Sequence, residues 1–165
     1  MSLTIRGLSS ADLEAVLALH RAAAEGQSGL ARRPDEIEPG YIAHFLDHAT
    51  IRLGAFVDGQ LAGEIHVTRL GPRQFHHVLT DLTVAVNPAV QGSGVGGALF
   101  EALFAAARAL TPPVERVELM VRAGHAGAIR LYERLGFQVE GRFPRRVRLA
   151  DGTVEDDVAM VKILD

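Results

Sequence analysis

Apolar residues along the chain change their period several times, and each change marks an element. Leu3–Arg6 alternates as a short strand; Ser9 or Ser10 then caps a helix with Leu13, Val16, Leu17 and His20 at helical spacing. Gly26 to Pro39 has no period and reads as a loop, and Glu38-Pro39-Gly40 leads into a second helix through about His48. Ile51–Val57 and Leu61–Leu70 read as strands joined by Asp58-Gly59, a dipeptide suited to a two-residue hairpin turn. Gly71-Pro72 turns the chain into a strand at Val78–Val86. A glycine-rich loop then opens an alanine-rich helix to about Leu110, stopped by Pro112-Pro113, with Val95, Leu99, Ala102, Leu103 and Ala106 as its core face. Val114–Val121 is a strand, Ala126–Leu135 a helix, and Phe137–Leu149 an extended stretch interrupted at Pro144. Asp151-Gly152 turns it back into Val154–Leu164. A two-residue turn there sets Arg148 opposite Glu155 and Arg146 opposite Asp157, pairs worth roughly 0.2–1 kcal/mol each.

Composition narrows the function classes. The 165 residues show no repeat and no linker, so one domain, 1–165, is expected, burying roughly 70% of its unfolded surface. A net charge of −3 gives no electrostatic case for nucleic acid or for an anionic membrane. Zero cysteines exclude disulfides, a cysteine nucleophile and thiolate metal sites. The start, Met1-Ser2-Leu3-Thr4-Ile5-Arg6, lacks the basic and long apolar regions of a signal peptide, and no stretch approaches the ~20 apolar residues of a membrane span. A cytoplasmic location is expected.

The chemistry concentrates in Asn87-Pro88 and the run Val90-Gln91-Gly92-Ser93-Gly94-Val95-Gly96-Gly97. Glycine permits positive φ and lets a ligand come close where a Cβ would stand. Successive N–H groups at the positive end of a helix then suit a phosphate or pyrophosphate. Gly92 to Gly97 also spells G-x-G-x-x-G, the dinucleotide fingerprint. In that fold the strand runs straight into the first glycine and further βαβ units follow. Here a proline and several residues separate Val86 from Gly92, and too little chain follows Gly97. No Gly-Lys-Ser/Thr opens the helix, so a P-loop is excluded.

Gln91, Gly94 and Gly96 fill the defined places of Q/R-x-x-G-x-G/A, and Asn87-Pro88 stands where an Asp/Asn-Pro turn is usual. Downstream, Ala128-Ile129-Arg130-Leu131-Tyr132-Glu133-Arg134-Leu135-Gly136-Phe137 fits A-x-x-L-Y-x-x-x-G-F. By these two motifs, in this order, the chain resembles the GNAT N-acetyltransferase superfamily. The motifs cover about residues 79–142, and the strand order outside them agrees. The resemblance implies an α/β (α+β) fold of GNAT type. Its mixed, mostly antiparallel twisted central sheet has six to seven strands flanked by about four helices, with splayed parallel strands at the acyl-CoA site. It implies acetyl-CoA as co-substrate, no metal, and transfer to a primary amine of a small molecule, amino acid or peptide N-terminus by direct attack on the thioester. Family members are frequently homodimers.

Site residues follow from the same resemblance. Gln91, Gly92, Ser93, Gly94, Val95, Gly96 and Gly97 hold the pyrophosphate, and His125 and Ala128 belong to the same cofactor-binding set. Val84, Ala85 and Val86 lie where pantetheine adds like a strand and a main-chain N–H meets the thioester oxygen. Two positions depart from the pattern. His125 replaces the usual Asn and takes over its hydrogen bond; Ser93 replaces a frequent Lys or Arg. Phosphate binding then rests on backbone N–H groups and the helix dipole, each worth about 0.3–1 kcal/mol. Tyr132 matches the general acid beside the sulfur, though packing alone reads it as an interior tyrosine. A phenol near pKa 10 facing a thiol near 8.5 makes full proton donation uphill by roughly 2 kcal/mol. A hydrogen bond that strengthens as thiolate develops is the sounder role.

Asp81 is the first candidate for the base, with Glu64, His66, His76 and His77 in reserve; its other reading is a strand-start hydrogen-bond acceptor. His44-Phe45-Leu46-Asp47-His48 resembles the inverted zinc-protease motif H-x-x-E-H with Asp for Glu, but no third ligand is evident and an ordinary surface helix is the simpler reading. Arg32-Arg33-Pro34-Asp35-Glu36 reads as an acceptor-side loop whose mixed charge specifies no acceptor. A second class stands beside the enzyme: a catalytically silent GNAT-fold module that binds acyl-CoA as sensor or scaffold. Retention of Tyr132 and Asp81 favours the enzyme.

Overall fold

A computed structural model describes residues 2–26 and 29–165; Met1, and Gln27 and Ser28 of the expected loop, lie outside the described residues. The order is β1 (Leu3–Gly7), α1 (Leu13–Glu25), α2 (Pro39–His48), β2 (Ile51–Val57), β3 (Gln60–Arg69), β4 (Val78–Val86), α3 (Val95–Arg108), β5 (Arg116–Arg122), α4 (Ala126–Arg134), β6 (Gln138–Arg148) and β7 (Val154–Ile163). Seven strands form one sheet in the order β1-β2-β3-β4-β5-β7-β6. Only β4 and β5 run parallel; every other pairing is antiparallel.

That single parallel pair is short. β4 and β5 pair at Val78↔Arg116 and Leu79↔Val117 and then part. The parting has a local cause. β4 carries a bulge opposite His66–Thr68, and within it Asp81 takes a positive φ of 52°. A bulge bends its strand and sharpens the twist, which turns β4 away from its neighbour.

The two sheet faces carry different layers. Ile65 and Val67 of β3 join the core under α3, with Leu99, Phe100, Leu103 and Phe104. Alternation sends Glu64 and His66 to the opposite face, beneath α1, where His20 meets Glu64. α3 is rotated from the expected stripe: Phe100, Phe104 and Ala107 are buried, whereas Ala102 and Ala106 are only half-buried. Two phenylalanine rings remove far more apolar area from water than two alanines, so they decide which face turns inward.

The hairpins show how far turn chemistry carries. Asp58 (φ 49°) and Gly59 (φ 83°) form the expected two-residue turn with both central residues left-handed. The Asp151-Gly152 expectation needs correction. Leu149 N–H donates to Thr153 O at 2.8 Å, closing a three-residue loop with Gly152 at φ 88°. The extra residue shifts the register, so Arg148 faces Val154 rather than Glu155. Glu155 pairs instead with Arg122 at 3.3 Å and accepts the Gly124 N–H. The expected break at Pro144 is an irregularity between Phe143 and Val147, with Arg145 at φ 60°. Phe143 rather than Arg146 therefore stands opposite Asp157, although the Arg146 side chain still reaches Asp157 at 3.7 Å.

Candidate active site

Where β4 and β5 part, the sheet opens into a cleft of about 1300 Å³. Its donor half lies on the α3 side. Asn87 Oδ1 accepts the Ala89 N–H at 2.9 Å and starts a tight turn at Pro88–Val90. Gly92 (φ 80°) and Gly94 (φ 89°) then swing the chain into α3 through left-handed backbone, which costs other residues roughly 1–2 kcal/mol each. No heavy atom lies within 4 Å of a Cβ placed at Gly92, Gly94 or Gly97, so the space before the loop is open. The first i→i−4 bond of α3 runs from Ala98 N–H to Gly94 O, which leaves the amides of Val95, Gly96 and Gly97 without an intrahelical acceptor. A diphosphate fits such a cradle.

Gln91, Gly92, Gly94, Val95, Gly96 and Gly97 all line the cleft. Ser93 turns its hydroxyl back to donate to the Val90 carbonyl. Val84, Ala85 and Val86 also line it; they pair with β3 on one edge, and β5 pairing ended at Leu79 on the other. Main-chain groups of this stretch therefore face the opening. His125 caps α4: its Nδ1 accepts the Ala128 N–H at 3.3 Å. Burial and the nearby Arg122 hold its pKa below the usual imidazole range, so the neutral ring carries its proton on Nε2. That N–H is what it offers to a ligand, and Ala128 lines the cleft beside it.

Tyr132 of α4 is 9% exposed and packs edge-on against Phe100 and Phe137 at 5.5 and 5.9 Å. No buried side-chain nitrogen or oxygen among the described residues lacks a partner, and the phenol has none, so its oxygen reaches the cleft surface. Burial raises its pKa to about 12. Against a thiol near 8.5, giving up the proton is then uphill by about 5 kcal/mol. A hydrogen bond is what this phenol can offer to a group in the cleft.

The acceptor half lies on the α1–α2 side and is made of side chains. Glu64 is fully buried between two rings: His20 Nε2–H donates to Oε1 at 2.7 Å, and His66 Nδ1–H donates to the same carboxylate at 3.0 Å. Burial pushes the Glu64 pKa up, but His66 and His20 together outweigh it and hold the carboxyl below its ordinary range. Phe45 of α2 stacks on His66 at 3.9 Å with the rings 9° apart. Arg32 lies 3.7 Å above the Tyr41 ring. Asp81 lines the cleft, exposed, and its carboxylate has no hydrogen bond or ion pair among the described residues.

The other reserve bases fall elsewhere. His76 Nε2–H donates to the Gly71 carbonyl at 2.8 Å, and His77 precedes β4; neither lines the cleft. His44 and His48 sit 4.7 Å apart on α2, and among the described residues no three His, Cys, Asp or Glu side chains are arranged to hold a metal ion. No described helix is long and apolar enough to cross a membrane. Sequence reasoning placed His20 in an apolar stripe and gave Tyr41 and Phe45 no role. The available signal was Glu64-x-His66, two polar residues two apart in an apolar strand and so on one face.

Comparisons with known proteins agree with this geometry. The profile of the acetyltransferase (GNAT) family matches residues 13–137. Mycothiol acetyltransferase of Brachybacterium faecium is 38% identical over 90 residues, which is 54% of this chain but 27% of that protein, so the chain spans about a quarter of that relative's length. The L-amino acid N-acetyltransferase AaaT of Escherichia coli (strain K12) is 26% identical over 163 residues, 98% of each chain. The solved structure of a GNAT-family acetyltransferase from Streptococcus pneumoniae superposes with a TM-score of 0.88 at 26% identity, covering 99% of this chain and 100% of the other. The chain belongs to the acetyltransferase (GNAT) family.

Proposed function

We propose that this chain moves the acetyl group of acetyl-CoA to a primary amine of a small molecule, an amino acid or a peptide N-terminus, by direct attack on the thioester. One observation carries the reading: a cleft between β4 and β5 with an amide-lined helix start on one face and a buried polar cluster on the other. The Gly92–Gly97 segment holds the diphosphate, and the β4 edge at Val84–Val86 takes the pantetheine arm as an added strand. A main-chain N–H of that edge meets the carbonyl oxygen as it gains charge. Tyr132 donates its hydrogen bond to the departing sulfur. Asp81 meets the acceptor's ammonium at the mouth of the opposite half and draws off its first proton through water.

How much that deprotonation costs depends on the acceptor. A lysine-like amine near pKa 10.4 must give up about 4–5 kcal/mol at pH 7, an α-amino group near 7.7–8 only about 1 kcal/mol. Glu118 and Glu140 of the cleft are paired with Arg116, and one unpaired carboxylate, Asp81, suits the α-amino group better; the end-to-end match to an L-amino acid N-acetyltransferase supports the same class. The test is thiol release from acetyl-CoA over a panel of the proteinogenic L-amino acids, spermidine and an alanine-initiated tripeptide. Release with an α-amine is the expected result. Calorimetric binding of acetyl-CoA without release would favour the silent module, and no binding would sink both readings.

A further inference from the structure

We infer that His66 is the base that takes the proton shed by the acceptor nitrogen as it bonds to the acetyl carbon, with Glu64 and His20 as positioning residues behind it. The inference rests on the acetyltransferase reading above and adds to it the second of the two protons an ammonium must lose. Its ground is the arrangement of three side chains that nothing in the donor half requires. An ionised carboxylate can only accept hydrogen bonds. Glu64 therefore fixes the proton of His66 on Nδ1, 3.0 Å away, and leaves the Nε2 lone pair on the opposite edge of the ring. His66 lines the cleft, Nε2 has no partner among the described residues, and no buried side-chain nitrogen there lacks one, so Nε2 opens into the cleft. Phe45 stacked at 3.9 Å and the two Glu64 contacts prevent the ring from turning. His20 occupies the remaining side of Glu64 at 2.7 Å and keeps the carboxylate from swinging away.

The position along the sheet agrees. His66 pairs with Thr83 across the β3–β4 ladder, next to the bulge where the strands part. It therefore faces the α1–α2 side of the opening, while the helix start and Tyr132 serve the other. The charged and titratable groups around it are Glu64, His20 of α1, Tyr41 and His44 of α2, Arg32 of the preceding loop, Asp81 of β4 and its β2 partner Arg52. Arg52 is engaged by the carbonyls of Leu8 and Ala49. In the step, the neutral nitrogen forms the N–C bond as the C–S bond breaks, and the electron pair leaves with sulfur. The nitrogen's proton passes to His66 Nε2 and from there to solvent. The thiolate, hydrogen-bonded by Tyr132, takes a proton from water.

His66→Gln keeps the volume and removes the base. With acetyl-CoA and the fastest amine of the panel, kcat is expected to fall about 10²-fold. The single-proton acid limb of the kcat/KM profile is expected to vanish, and calorimetric affinity for acetyl-CoA to stay unchanged. Glu64→Gln is expected to lower kcat less and to preserve that affinity. In the ligand-free wild-type protein, 15N chemical shifts of neutral His66 are expected to show the proton on Nδ1. A His66→Gln variant within about twofold of wild-type kcat, an acid limb that persists in it, or a wild-type proton on Nε2 would each overturn the assignment. Should His66→Gln fail to fold by circular dichroism, the wild-type tautomer and the Glu64→Gln kinetics decide. A wild type that releases no thiol with any amine removes the acetyltransferase reading itself, a different outcome from an active wild type indifferent to His66.

Discussion

The phosphate cradle of the donor half is made of main chain from one stretch, Asn87 to Gly97, whereas the acceptor half is made of side chains gathered from α1, α2, β3 and β4. The first asks of the sequence only that two residues adopt left-handed backbone and that the helix begin without a Cβ in the way. The second asks that a fully buried carboxylate find both of its imidazoles, which stand 44 and 2 residues away. A buried charge left without its partners costs several kcal/mol. Amide groups at a helix start bear no such penalty, because water or ligand satisfies them. The donor half can therefore stay constant while the acceptor half is rebuilt around it for a different amine.

Two substitutions on the donor side should produce the largest effects, each confined to its own parameter. Tyr132→Phe removes one hydroxyl and keeps the ring against Phe100 and Phe137. It should lower kcat about 10²-fold with little change in acetyl-CoA affinity; steady-state kinetics check this, and an unchanged kcat would end the tyrosine's catalytic role. Gly94→Val forces a β-branched residue to φ 89°. Strain of roughly 1–2 kcal/mol at the phosphate cradle should raise the KM for acetyl-CoA about 10-fold. The KM for the amine should not move. If both rise together, the two halves are not independent and the comparison fails.

The contrast between the halves also explains what could be read before the fold was known. Glycine loop, asparagine–proline turn and Tyr132 helix each occupy one contiguous stretch, so motif resemblance could locate them; from Gln91 to Gly97 all but Ser93 line the cleft, as do Ala128, Leu131 and Tyr132. Strand and helix order was legible for the same reason, since period and turn residues are local signals. The His20–Glu64–His66 cluster was not, because α1 and β3 meet only through tertiary packing. His20 looked like one more position on an apolar stripe, and only the partner makes it polar chemistry. The last hairpin failed for a subtler reason: Asp-Gly serves two-residue and three-residue loops alike, and the choice of one shifts every pair beyond it.

Acid stability probes the cost of that buried cluster. The Glu64 pKa is lowered on folding, so its contribution is present above the unfolded carboxyl value of about 4.3 and lost as pH falls through the lower folded value. Glu64→Gln has no such titration. Melting temperatures by circular dichroism should favour the wild type near neutrality, and the gap should narrow below about pH 4.3. A gap that stays constant across that range would mean the carboxylate contributes nothing through its charge.

The smallest expected effect belongs to Asp81, and it sharpens the division of labour within the acceptor half. The carboxylate is exposed at the bulge and free of protein partners among the described residues. An ammonium bound there makes a water-screened ion pair worth roughly 0.2–1 kcal/mol. Asp81→Asn should therefore raise the KM for the amine by up to about 5-fold and leave the KM for acetyl-CoA unchanged. High salt should erase the difference, since both ions stand in water. Above the pKa of the acceptor, the substitution should matter little, because the arriving amine is already neutral. A fall in kcat of about 10²-fold instead, insensitive to salt, would make Asp81 the base for both protons and reduce His66 to packing.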